Sequence, residues 1–158
     1  MIGVKKIIFS AALLTLALLL TVKVSAAGKA APKATGSIEA VMYGGAVHLY
    51  ADFNGISATA TQPDKGNYHV WGSVFGQNID WYGDINSVTV GGQQAILHGT
   101  FVSGVADGNP SAGTPFSLKM TDGGSPGAGN DTFSSEWGIT DNPSFAWTIV
   151  SGNLVVHN

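Results

Sequence analysis

"AVHLYADF", Ala46 to Phe53, sets Val47, Leu49, Ala51 and Phe53 on one side of an extended chain and His48, Tyr50 and Asp52 on the other. A period of two is the period of a β-strand, and apolar-in, polar-out alternation marks a sheet with one face buried. The same rhythm runs outward in both directions. "NYHVWGSVF" alternates from Tyr68 to Phe75, and "NIDWYGDI" opposes Ile79, Trp81 and Ile85 to Asp80, Tyr82 and Asp84. "QAILHGTF" opposes Ala95, Leu97 and Phe101 to Ile96, His98 and Thr100. "PFSLKM" and "DTFSSEWGI" place Phe116, Leu118, Met120, Phe133, Ser135 and Trp137 on apolar sides, and "FAWTIV" and "NLVVH" close the chain. Glycine- or asparagine-bearing turns separate these runs: "YGG", "FNG", "PDKG", "VGG" and "SGN". No segment after Ala26 carries a helical apolar stripe. The expected fold is therefore all-β, a single antiparallel β-sandwich of about 8–10 short strands.

The chain has 158 residues, room for one domain with a sizeable core. Its start, "MIGVKKIIFSAALLTLALLLTVKVSAAGKA", combines a basic n-region at Lys5 and Lys6, an apolar run from Ile7 to Val22, and small residues at "VSA". That is the pattern of a secretory signal peptide, 1–26, with cleavage expected after Ala26. Residues 27–36 read as a flexible linker and 37–158 as the sandwich domain. Localisation follows as secreted or cell-envelope, and the membrane is engaged only through the signal segment if it stays uncleaved. The chain has no cysteine, so neither lipidation nor a disulfide assists it. It has no arginine either. Past Ala26 four lysines face ten acids, a net charge of −6, which repels phosphate backbones and disfavours nucleic acid as a partner.

"DGGSPGAGND", Asp122 to Asp131, invites several chemistries. As G-x-S-x-G, "GGSPG" would place a nucleophilic serine before Pro126, which has no N–H to give an oxyanion hole, and a strand follows where a helix is needed. A phosphate cradle lacks its lysine and its helix. Asp122, Asn130 and Asp131 offer oxygens to a calcium ion, the one cofactor the sequence suggests, although the spacing is not that of an EF-hand. The simpler reading is a connection between strands ending near Met120 and starting near Thr132, its acids bonding loop amides in Asx-turns.

Elsewhere, Asp80 and Asp84 share a face but lie about 13 Å apart along a strand, too far for a glycosidase pair. His48, His69, His98 and His157 have no metal-ligand spacing. No enzyme is expected. Trp81, Trp137 and Trp147 share faces with isoleucines and belong to the core, whereas the face of His69, Trp71, Ser73 and Phe75 stays open. Tyr82 with Asp80, Asp84 and Trp71 forms the best outward set, a candidate aromatic platform for a glycan.

"INSVTVGGQQA", "PFSLKMTDGGSPGAGNDTF" and "SGNLVVH" together resemble the post-choice-of-anchor-protein domain, a β-rich module of exported bacterial and archaeal proteins. The shared positions include Ile85, Ser87, Val88, Val90, Gly92 and Ala95, then Phe116, Leu118, Met120, Asp122, Gly124, Pro126, Gly127 and Gly129. Asp131, Phe133, Gly152, Asn153, Leu154, Val156 and His157 complete them. Asn130 is an extra residue relative to that pattern. The resemblance implies an exported, non-catalytic module with a structural or interaction role, its partner a surface protein or a glycan.

Overall fold

The computed structural model describes residues 30–105, 112–138 and 143–158. The stretch expected to be a signal peptide, 1–26, lies outside the described residues. Eight strands follow in order: β1 (Lys33–Met42), β2 (Val47–Ile56), β3 (Lys65–Val74), β4 (Gln77–Gly91), β5 (Gln94–Val105), β6 (Pro115–Thr121), β7 (Thr132–Trp137) and β8 (Ala146–His157). β1 takes up Lys33 to Gly36, residues whose composition suggests a linker.

Each strand pairs antiparallel with the next, and β8 returns to pair with β1. The sheet is a closed up-and-down barrel, not a sandwich. The correction has a simple physical origin. Alternation states which side chains leave water, and one buried face per strand satisfies both architectures equally. What separates them is a contact between the ends of the domain, Lys33 opposite His157 through Val41 opposite Thr148. Between Glu39 and Ala40 the β1–β8 register slips, leaving Val150 as an extra residue on β8. Further slips mark β4 against β5. Such bulges add the coiling that a sheet needs to meet itself, and closure removes the two exposed edges.

An eight-stranded barrel has an interior just wide enough for side chains to fill. Here the filling is large against small. Phe53, Leu97 and Phe116 are buried and lie over strand positions that carry no side chain, Gly36 being the direct partner of Phe53 on β1. A Cβ on Gly36 would stand 2.3 Å from Phe53 Cζ, one on Gly83 2.4 Å from Phe116 Cε1, and one on Gly55 2.7 Å from Leu97 Cδ2. Tyr68, Phe101 and Phe116 pack as one aromatic layer, with centroids 4.9 to 6.1 Å apart. The outer wall carries Asp52, Lys65, Asn67, Asp80, Asp84 and Lys119. This is the reverse of a lipid-facing barrel, which turns an apolar band outward.

The two ends of the barrel differ. One, the foot, holds the start of β1, the end of β8 and the Asp122–Asp131 loop. The other, the mouth, holds the β1–β2 turn (Tyr43–Gly45), the β3–β4 turn at Phe75 and Gly76, and the segment entering β8. The start of β1 and the end of β8 thus lie opposite the mouth.

Candidate functional site

At the foot, the loop that opened several chemistries serves the seam. β7 starts only at Thr132 and pairs with β8 through two residue pairs, Phe133 with Trp147 and Ser134 with Ala146. Below that point β8 has amides facing a strand that is not there. Asp131, 7% exposed, accepts from Leu154 N through Oδ2 (2.9 Å) and from Gly123 N through Oδ1 (2.9 Å). Asp122 accepts from Val156 N through Oδ2 (3.0 Å) and turns back on Gly124 N through Oδ1 (2.9 Å). Two carboxylates thus replace the missing ladder. Gly127 lies against Asn153 Cα so closely that a Cβ would come within 2.8 Å. Asn130, the third of the candidate calcium ligands, donates its side-chain amide to Pro126 O (2.7 Å). All four carboxylate oxygens therefore receive backbone N–H donors, and the described residues hold no group of three or more metal-ligating acids or histidines.

On the outer wall, register brings Tyr50 opposite Trp71 and Trp71 opposite Asp80, and in the next row Asp52 opposite His69 and His69 opposite Tyr82. The result is a ladder of five rings over three strands. His69 lies between Tyr82 (4.0 Å, 10°) and Trp71 (4.3 Å, 24°), Trp71 stacks on Tyr50 (5.5 Å, 18°), and Tyr50 meets His48 (5.4 Å). His69 Nε2 donates to Asp80 Oδ1, and His48 Nε2 to Glu39 Oε1, both at 2.7 Å. Four cross-strand and same-strand ring pairs at about 0.5 kcal/mol each make this a modest brace of the wall. Of the candidate glycan set, Trp71, Asp80 and Tyr82 come together here, while Asp84 stands four residues from Asp80, opposite Asn67 and Thr100 and beyond the rings. A sugar needs a free ring face. Trp71 has rings on both of its faces, whereas Tyr82, 45% exposed, is stacked only by His69 among the described residues.

Glu39 closes the ladder against β8. Its carboxyl is held below the usual glutamate range by a hydrogen bond from Ser151 (2.7 Å) and then by His48. A depressed folded-state pKa contributes stability that is present above the ordinary glutamate value and lost as pH falls through the folded value. Glu39→Gln is therefore expected to flatten the decline of melting temperature below about pH 4, measured as a series of thermal melts. An unchanged slope would remove Glu39 from the acid response.

Ser117 and His98 form a second outer pair, Nδ1 to Oγ 2.7 Å. Ser117 exposes nothing to solvent, so this dyad cannot present a nucleophile to a substrate.

The mouth is the feature the sequence does not announce. It opens a cavity of about 240 Å³, walled by Met42, Val47 and Val74 and floored by Ser135, Trp137 and Trp147. Tyr43 (61% exposed), Phe75 (68%) and Phe145 (47%) stand on the rim. Tyr43 and Phe75 are the two most exposed large apolar side chains among the described residues, and their rings meet at 5.7 Å. They are also the two non-glycine residues there with positive φ, 51° and 50°. A side chain in that region costs about 1–2 kcal/mol, and such strain gathers at functional sites. Each tip precedes a glycine, Tyr43-Gly44 and Phe75-Gly76; a bulky aromatic in a glycine turn is the only trace of the mouth in the sequence.

Beneath the rim, Trp147 Nε1 donates to Ser135 Oγ (2.9 Å). The Tyr68 hydroxyl sits deeper, and burial pushes it far above the ordinary tyrosine range despite the proximity of Trp137 and Ser135. It stays protonated throughout the physiological range. Fold and cavity together define a class: a small up-and-down β-barrel with a mostly apolar cavity at one mouth. No family model, curated protein or solved structure matches the chain.

Proposed function

We propose that this chain is a non-catalytic binding module of the secreted or cell-envelope compartment, similar in role to the post-choice-of-anchor-protein domain, and that it captures an apolar group in the barrel mouth. One observation carries the reading. The two residues held in a strained left-handed backbone are the two most exposed apolar side chains, and they touch above the cavity. The hairpin turns need positive φ at these positions, but glycine or asparagine would supply it at less cost, so the use of exposed aromatics there points to what they meet. The cavity is smaller than the roughly 300–1,000 Å³ of drug-sized sites. It suits one ring system or a short chain, borne by a small molecule or by a surface partner. The acidic surface and the absence of arginine make nucleic acid an unsuitable partner.

Titration with the neutral probe N-phenylnaphthylamine tests this. Fluorescence enhancement at one site per chain is expected, and Phe75→Asn should weaken it about tenfold, the loss of about 1.4 kcal/mol of ring contact. Asparagine tolerates positive φ, so the melting temperature should not fall with the affinity. A flat titration would sink the proposal. The glycan platform keeps one supporting observation, the open face of Tyr82 beside Asp80. Quenching of Trp71 fluorescence across a polysaccharide panel would favour it.

A further inference from the structure

We infer that the group held in the barrel mouth is a quaternary ammonium cation on a small free molecule, its methyl groups against aromatic side chains and its charge balanced by Glu136. The inference rests on the mouth being a binding site and names the chemistry of its ligand.

In a chain that is 9% aromatic, half of the residues lining the cavity are aromatic: Tyr43, Phe75 and Phe145 at the rim, Trp137 and Trp147 at the floor. An aliphatic lining would hold an apolar group equally well. What rings add is a quadrupole, negative over each face, that attracts a cation within about 6 Å of the ring centre, most strongly at tryptophan. Tyr43 and Phe75 meet tilted by 31° at 5.7 Å, and Trp137 and Trp147 by 50° at 6.4 Å, so neither pair is closed face to face. Rim and floor thus each keep π surface for a guest.

The charge at the mouth has the matching sign. Glu136 is the one charged side chain lining the cavity, and the ion pairs of the described residues, His48 with Glu39 and His69 with Asp80, do not involve it. Its Oε2 accepts the N–H and the hydroxyl of Ser144 (3.1 and 3.2 Å), the residue before Phe145. These neutral donors fix the carboxylate beside the rim without cancelling its charge. The net charge of −6 past Ala26 adds attraction for cations at longer range. An anion would be repelled, and a neutral guest would leave the carboxylate without a counter-charge. A primary ammonium brings three N–H donors that need acceptors, which ring faces and methyl groups do not supply. A quaternary one brings none, and a cavity of about 240 Å³ admits its head with a short apolar tail.

Displacement of N-phenylnaphthylamine from the full chain tests this with two probes of one shape. Phenyltrimethylammonium and tert-butylbenzene differ by a cationic nitrogen in place of a carbon. At low ionic strength the cation is expected to displace about tenfold better than the hydrocarbon. Glu136→Gln should cut that ratio about threefold, and added salt should narrow it in the unaltered protein, which gives the same answer should the variant not fold. Phosphatidylcholine vesicles should not retain the chain, because each head group sets a phosphate beside an acidic barrel; retention would keep the cation and overturn the free molecule as its source. A ratio that neither salt nor Glu136→Gln changes overturns the part given to Glu136. Equal displacement, stronger displacement by the hydrocarbon, or none by either probe overturns the inference and leaves the mouth standing. Failure of N-phenylnaphthylamine itself to bind overturns the mouth reading and this inference together.

Discussion

Gly36→Ala is expected to lower the melting temperature by about 10 °C, the equivalent of about 3 kcal/mol in a domain of this size. The added methyl would stand 2.3, 2.8 and 3.0 Å from three atoms of the Phe53 ring, and no other atom is among its nearest contacts. Gly36 faces Phe53 across the β1–β2 pair, so neither backbone can retreat without breaking the ladder. Phe53 also stacks on Phe133 (5.7 Å, 15°), which limits where the ring can go. Phe53→Leu alone should cost about 1–2 kcal/mol for lost packing. The double variant should be more stable than the sum of the two by about 2 kcal/mol, because leucine vacates the space the methyl needs. Strictly additive melts would mean that the lumen is not packed ring against glycine. Gly99→Ala offers a control without rescue, since its Cβ would meet the carbonyl of Asp84 at 2.1 Å as well as Phe116.

The second large effect belongs to the seam. Asp131→Ala should destabilise by about 3 kcal/mol in urea titration, because it strips the acceptor from the buried N–H of Leu154 and from that of Gly123. Amide exchange at Leu154 should accelerate more than at Val156, since Leu154 N loses its acceptor while Val156 N keeps Asp122. Asp122→Ala should cost about 1 kcal/mol, its two bonds being exposed or half-buried. EGTA should leave the melt of the unaltered protein in place, for the four oxygens already serve amides. A drop on chelation would reassign the loop to a cation.

Much of this architecture is legible before any coordinates. Val47, Leu49, Ala51 and Phe53 are all buried, as are Ile79, Trp81 and Ile85, and Phe116, Leu118 and Met120. Trp81 and Trp147 are in the core, and Trp137 is half-buried at the cavity floor. The outward parity of Asp80, Tyr82 and Asp84 is equally plain. What alternation leaves out is who stands beside whom. His69, Tyr50 and His48 join Tyr82 and Trp71 only through the β2–β3–β4 register, which turns a candidate platform into a ladder in which Trp71 stacks with two neighbours and Tyr82 with one. The mouth requires more still. Tyr43 and Phe75 lie on different hairpins, and Trp137 and Trp147 on different strands, so their meeting depends on the circular order of the barrel.

The sequence by itself determined that this protein is built of strands, which side of each strand leaves water, and that Asp122 to Asp131 is a junction between two of them. Those properties are local, because burial repeats with the pleat and turn chemistry sits within a few residues. Only the tertiary structure decided that the sheet closes on itself, that two carboxylates stand in for a missing stretch of ladder, and that an apolar cavity opens at the end opposite them. Closure is a pairing between the first strand and the last. Its free energy comes from many weak hydrogen bonds and packed rings that no single segment encodes.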